Sequence, residues 1–556
     1  MQDFRDRALF DAEYAAQQIK EDLSLDFLTY AEGVGLNKEN QCLNGTRTEI
    51  LREVIDWVNN TDAATPQIFW LHGEAGKGKS AIAHTIALHA QNLGILGSCF
   101  CFSRVRQHEG LHKKLFPTIA RDLADRDLPL RLLLAEVTAN VRSLRVTEDI
   151  TEQWQKFILE PLSQLQDSST GNVVVVIDAL DESGGEATRT TVLEVLATRG
   201  AELPGNVRIL LISRPLVDIG EVLNTARPVR TMSLDDIDDQ LAMRDIHLYI
   251  STRLKKLPGL FSDEDFRRLA EKSDGLFEWA RLACDFLYPG VGVIPQNRFQ
   301  GIISHTSTGK AALDEMYTAL LKDLTRGSSN VLHVFRSVMR QILWLTEPLS
   351  IDALNAMRCK FHLESDRYPV ESILNFMTSL LSGTSQRSIP ICPLHASFYD
   401  FLLDGKRSKE FVIDESDIQH DLTLASLWVM HDGLKFNICN LPTSYTCNSE
   451  VPDLAKRVDD HIPSHLLYCC RFWAHHLQQS EYDSDLAQCL KGLVSGEKFL
   501  FWLEVLGICK CIEEARWALT LAERWLQVRL FVACITYHVN FHLSGKFEVW
   551  RYFGVH

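Results

Sequence analysis

Gly73-Glu-Ala-Gly-Lys-Gly-Lys-Ser80 is the stretch that decides the fold of this 556-residue chain. It is entered from a short apolar run, Gln67-Ile-Phe-Trp-Leu71. It leads into Ser80-Ala-Ile-Ala-His-Thr-Ile-Ala-Leu-His-Ala90, whose apolar spacing predicts a helix. A glycine-rich turn between a strand and a helix is the context in which G-x-x-x-x-G-K-S cradles phosphate. The glycines let backbone N–H groups converge on phosphate oxygens, and the helix N-terminus adds partial positive charge. A surface Gly/Lys loop could carry the same letters, but its flanks would not read as strand and helix. Gly73, Glu74, Ala75, Gly76, Lys77, Gly78, Lys79, Ser80 and Ala81 are therefore expected to line a triphosphate site. Lys79 would reach the β- and γ-phosphates and the Ser80 hydroxyl would ligate Mg²⁺.

Further along, Asn172-Val-Val-Val-Val-Ile-Asp178 reads as a strand buried on both faces of a parallel sheet. It ends in Asp178-Ala-Leu-Asp181-Glu182. A carboxylate at the C-terminal tip of such a strand points into the crevice where open α/β sheets bind ligands. Asp178 is accordingly expected in the Mg²⁺ shell, with Asp181 and Glu182 placed to orient or polarise an attacking water. A third run, Val207-Arg-Ile-Leu-Leu-Ile-Ser213, carries Arg214 at its tip, where a cation would sense the γ-phosphate. Gly97-Ser-Cys-Phe-Cys-Phe102 completes the central strands, with Arg104 and Arg106 after it as secondary candidates for phosphate contact.

Composition bounds the rest. Hydrophobic residues make up 46% and charged residues 23%, as in ordinary globular chains. A formal charge of −16 argues against a broad nucleic-acid or anionic-membrane footprint. There is no secretory pattern at Met1 and no apolar stretch long enough to span a bilayer, so the cytoplasm is the expected compartment. The 14 cysteines sit mostly singly in apolar segments and read as reduced core thiols. His461, His465, Cys469, Cys470, His475 and His476 invite a metal reading. Pro463 interrupts their spacing and aromatics fill the gaps, so a buried helix face is the expectation.

GEAGKGKS, VVVVIDALDE and ILLISRP together resemble NACHT-type STAND NTPases, in particular the fungal group whose P-loop domain is described as nephrocystin-3-like. The second acidic pair after Asp178 is the most diagnostic part. Cys42-Leu-Asn-Gly45-Thr46-Arg47 resembles the segment opening that domain, which implies that Arg47 lies where relatives contact adenine and ribose. Gly275-Leu-Phe-Glu-Trp-Ala280 resembles the family's helical-domain segment, and Ile342-Leu-Trp-Leu-Thr-Glu-Pro-Leu-Ser350 its winged-helix region. Leu394-His395-Ala-Ser-Phe398-Tyr-Asp-Phe-Leu-Leu403 resembles the end of the winged helix, which implies that His395 contacts the β-phosphate of ADP.

The resemblance implies an α/β P-loop NTPase with a parallel AAA+/STAND-like sheet, followed by helical, winged-helix and arm domains, mainly α overall. The expected boundaries are a short helical segment over 1–40 (Leu9 to Leu28), a NACHT/P-loop domain over 41–235 and a helical domain over 236–330. A winged helix over 331–410, a helical arm over 411–515 and an atypical tail over 516–556 follow. Family members usually carry an effector before this block and repeats such as WD40 after it. Neither is evident here, so the chain is expected to be truncated.

The implied function is a slowly hydrolysing molecular switch, closed with ADP and open and self-associating with ATP, in fungal NLR-like signalling, non-self recognition or programmed cell death. Two alternatives stand beside it: a non-catalytic scaffold retaining the NTPase fold, and a P-loop kinase or transferase. ATP is favoured over GTP because no guanine-reading Asn/Thr-Lys-x-Asp motif follows the P-loop.

Overall fold

Val173–Asp178, wholly buried, is one of five parallel strands in the order β2-β3-β4-β1-β5. These are β1 (Ile68–His72), β2 (Leu96–Cys101), β3 (Val173–Asp178), β4 (Val207–Ser213) and β5 (Val229–Ser233). The computed structural model describes Leu25 and residues 28–527, apart from 142, 145–146, 165–170, 258, 289–293, 305, 416–417, 444 and 446. Of the expected helix over Leu9 to Leu28, all but Leu25 and Leu28 lies outside the described residues. So do 528–556 of the expected tail.

Alternation of side chains along each strand splits the apolar runs between two cores. Ile68 and Trp70, Val175 and Ile177, and Ile209 and Leu211 face one core. Phe69 and Leu71, Val174 and Val176, and Leu210 and Ile212 face the other, with Ile82 and Ile86 of the P-loop helix. Burial on both faces is why these strands read as near-continuous apolar runs, β-branched throughout in Val173–Ile177. The fifth strand was not legible: Val229-Arg-Thr-Met-Ser233 is polar and half exposed because it is an edge.

The helices that bear on the site are α1 (Thr48–Asn59), α2 (Lys79–Asn92), α3 (Asp239–Leu254), α4 (Phe277–Leu287) and α5 (Gly309–Thr325). Beyond β5 the described residues hold only two two-residue strands, Leu381–Ser382 and Cys392–Pro393, paired antiparallel. The fold is that of an α/β P-loop NTPase, mainly α. No described helix is long and apolar enough to cross a membrane.

The chain divides into two compact units. One comprises residues up to Leu320 together with His395–Ser397, and the other the remainder. In the second unit, Ser464–Gln479 buries Cys469, Cys470, Trp473 and His476. His476 bonds Tyr468 Oη at 2.7 Å and Gln419 Oε1 at 2.8 Å, while His461 lies in a preceding helix, across Pro463. The His/Cys stretch is thus packing, as its aromatic interleaving suggested.

Candidate functional site

The sheet order places β4 between β1 and β3, so the tips carrying the P-loop, Arg214 and Asp178 lie side by side. After β1 the chain turns through Gly76 (φ 88°) and Gly78 (φ 84°), left-handed conformations that favour glycine, and Gly78 then caps α2. This turn aims the first N–H groups of α2 into the crevice. Lys79 Nζ folds back to donate to Gly73 O at 2.7 Å and Glu74 O at 2.9 Å. Burial lowers its pKa, opposed by the nearby Asp181 charge, so an anion arriving there would recover a buried cation's solvation.

Asp178 is buried, and its Oδ1 has no protein partner. Burial raises its pKa, while a hydrogen bond from the Ser80 side chain pulls the other way. An orphaned carboxylate oxygen beside a hydroxyl is the donor set a hard divalent cation takes, so the residues present fit Mg²⁺. When bound, that ion would neutralise phosphate charge, held by Asp178 and Ser80.

The two acids after Asp178 lie in different settings. Asp181 accepts from Arg214 twice, from the backbone N–H at 3.0 Å and from Nε at 3.1 Å. Glu182 instead accepts from the Arg104 N–H at 3.0 Å, and its pKa is pushed up to about 7, first by burial and then by the Asp181 charge. A carboxyl poised there can take a proton from water near neutral pH. Arg106 donates to Glu109 from Nε and, at 2.7 Å, from Nη2.

Further groups brace the P-loop from outside. Asp235, just after β5, accepts from Glu74 N–H at 3.1 and 3.2 Å and lies 3.8 Å from Lys77 Nζ. The Glu278 N–H, in the first turn of α4, donates to Gly76 O at 3.1 Å. A Cβ on Gly76 would meet Glu278 Cβ at 3.2 Å, and one on Gly78 would meet Phe277. The segment Gly275-Leu-Phe-Glu thus seats against the P-loop itself. Arg47, buried, donates from Nη2 to Lys77 O at 2.8 Å and lies 4.7 Å over the Phe277 ring. Its backbone N–H is held by Asp245 of α3 at 2.8 Å. Arg47 therefore sits between the P-loop at Lys77 and the Phe277 ring.

His395 belongs to the same compact unit. Its Nδ1 accepts from Ser397 N–H at 3.2 Å and meets Ser397 Oγ at 2.6 Å. Ser397 Oγ is in turn 2.8 Å from the Tyr317 hydroxyl of α5, which also approaches Glu278 Oε1 at 3.5 Å. With Nδ1 accepting, the ring proton lies on Nε2. Burial lowers the His395 pKa; Glu278 opposes that, and Arg214, Arg281 and Lys79 reinforce it, so the ring is neutral at pH 7.

Residues 45–214 match the family described as Nephrocystin 3, N-terminal. The match runs from just before Arg47 to Arg214 and takes in the P-loop, the acids after β3 and Arg214. This region is a P-loop NTPase domain. No curated protein matches the chain. Among solved structures, the Walker-type ATPase PABY2304 of Pyrococcus abyssi is 12% identical, covering 66% of this chain and 97% of that one at a TM-score of 0.32. The Aeropyrum pernix ORC1 protein, solved in complex with DNA, is 14% identical, covering 62% and 87% at a TM-score of 0.32. Cdc6p from Pyrobaculum aerophilum is 11% identical, covering 71% and 98% at a TM-score of 0.30. These likenesses are too loose to bear on the site.

Proposed function

We propose that the chain is a STAND-type molecular switch that binds ATP or ADP with Mg²⁺ and hydrolyses ATP slowly, closed with ADP and open and self-associating with ATP. The observation that carries this reading is the membership of His395–Ser397 in the NTPase unit. Their flanking residues belong to the second unit, yet His395 and Ser397 join the hydrogen-bonded chain through Tyr317 and Glu278 beside the P-loop. A neutral His395 with its proton on Nε2 would donate to a phosphate oxygen of ADP, while Arg214 would favour the γ-phosphate of ATP. That pair supplies the differential affinity a two-state switch needs.

In the hydrolytic step Glu182 would take the proton of the attacking water. Asp181 would hold Arg214 by two hydrogen bonds and so aim it, and Lys79 would leave its loop carbonyls for the phosphates. Residues 331–410 are read as the winged helix, their helices and short hairpin supporting that assignment, with 236–330 a helical domain and 411–515 an arm. Fungal NLR-like signalling in the cytoplasm is the setting the family resemblance supports.

The test is the nucleotide that co-purifies, together with mass by light scattering before and after adding ATP. Wild-type protein should retain ADP and enlarge with ATP, and Lys79→Ala should do neither. Identical behaviour of the two would reject the switch.

A further inference from the structure

We propose that His84, Cys99 and Cys101 form a site for a thiophilic divalent cation of the Zn²⁺ class, stapling the P-loop helix to the edge strand of the sheet. Cys99 and Cys101 are two apart on β2 and so share a face, and α2 lays His84 across it. The two sulfurs are 4.0 Å apart, His84 Nε2 is 4.0 Å from Cys101 Sγ, and all three ligand atoms lie within 4.8 Å of one another. Tetrahedral Zn²⁺, with Zn–S of about 2.3 Å and Zn–N of about 2.0 Å, sets two sulfurs about 3.8 Å apart and a sulfur and nitrogen about 3.5 Å apart. Two of these separations are therefore within about 0.5 Å of the tetrahedral values, and the third, within 4.8 Å, must shorten by up to about 1.3 Å on loading.

The setting suits a closed site with one remaining position. His84 and Cys99 are buried, and Cys101 is half-buried beneath residues 34–37. Gly35 O lies 4.0 Å from Cys101 Sγ, and the Cys101 N–H donates to Val34 O at 2.7 Å. A carbonyl or a water can complete four-coordination there.

The proton balance is definite. Each thiol loses its proton as its metal–sulfur bond forms, so two protons leave per cation. Nε2 must give up its hydrogen to ligate, and the neutral ring then carries it on Nδ1. That nitrogen now accepts a long hydrogen bond, 3.3 Å, from the Asn37 N–H. Loading therefore breaks this bond and loosens residues 34–37. Because Cys101 pairs in register with Asp178, and α2 begins at Lys79, the cation would tie together the elements that carry the phosphate and Mg²⁺ ligands.

The experiment uses the full-length, reduced protein, stripped by chelator and titrated with Co²⁺ and then Zn²⁺. One Co²⁺ per chain should give the intense visible bands and thiolate charge transfer of a four-coordinate thiolate site, and Zn²⁺ should displace it. Cys101→Ser should weaken binding by about 100-fold or more, whereas the exposed control Cys359→Ser should leave it unchanged. Should Cys101→Ser fail to fold, alkylation mapping of the wild type decides: Zn²⁺ should protect Cys99 and Cys101 but not Cys359 or Cys447. Amide exchange at Asn37 should quicken on loading. Absence of the thiolate bands, bands that persist in a folded Cys101→Ser protein, or protection of other cysteines alone would overturn the site. Unchanged exchange at Asn37 would overturn the ligand set by removing Nε2 from it.

Discussion

Replacing Glu182 with Gln should greatly slow the proposed ATP hydrolysis and, above neutral pH, make the protein more stable. The carboxyl is half-buried, and desolvation pushes its pKa up to about 7 from its ordinary 4.5. At 1.36 kcal/mol per pH unit, holding it ionised in the folded state costs about 3 kcal/mol. The folded pKa lies above the unfolded one, so the folded state binds this proton more tightly. Stability is then full below pH 4.5, declines as pH rises from 4.5 to about 7, and levels off above that.

Glutamine keeps an oxygen for the Arg104 N–H, 3.0 Å away, without the buried charge. At pH 8 it should raise the unfolding temperature by several degrees, corresponding to up to about 3 kcal/mol, and near pH 4.5 it should change nothing. Loss of a general base should cut single-turnover ATP hydrolysis by about 10²- to 10⁴-fold, with nucleotide affinity altered less than about 3-fold. The wild-type rate should fall about tenfold per pH unit below 7, and the variant's low rate should be flat. Thermal unfolding at two pH values, beside single-turnover rates from pH 5 to 9, measures all of this. A variant that hydrolyses at the wild-type rate, or that is less stable at pH 8, would refute the reasoning.

Three other changes address the rest of the site. Asp178→Asn removes the orphaned carboxylate oxygen and should reduce the Mg²⁺-dependent part of ATP affinity by about 10-fold or more while leaving Mg²⁺-free ADP binding nearly intact, as titration calorimetry would show. Gly76→Ala forces a side chain onto a φ of 88° and against Glu278 Cβ at 3.2 Å, so thermal unfolding should reveal a loss of about 1–3 kcal/mol. Ser397→Ala deprives His395 Nδ1 of the 2.6 Å hydroxyl and should speed ADP release by about 5- to 10-fold in a fluorescent-nucleotide chase. Because burial holds His395 below its ordinary 6.5, release from wild-type protein should be flat from pH 6.5 to 8 and change only as the ring protonates at lower pH.

Most of the phosphate site was legible because its chemistry is local. Gly73 to Ser80 is a turn whose backbone must point its N–H groups one way, and Asp178 follows a strand apolar enough to announce burial on both faces. The strand ranges read from sequence differ from the observed ones by a residue or so at each end. What escaped was non-local or unpatterned. β5 is an edge and carries no apolar signature. Asp235 is one acid among several until the fold sets it 3.1 Å from Glu74 N. The His84–Cys99–Cys101 cluster joins a helix to a strand, and no spacing rule connects those positions.

Sequence alone determined a P-loop, a parallel sheet and the identity of the acids at its tips, since periodicity and turn chemistry act over a few neighbouring residues. It could not divide labour between Asp181 and Glu182, which are adjacent and chemically alike. Tertiary structure separates their settings: one carboxylate faces the Arg214 cation, while the other is half-buried beside the first and has its pKa pushed up to about 7. Desolvation and charge–charge distance are properties of the folded surroundings, and no stretch of sequence carries them.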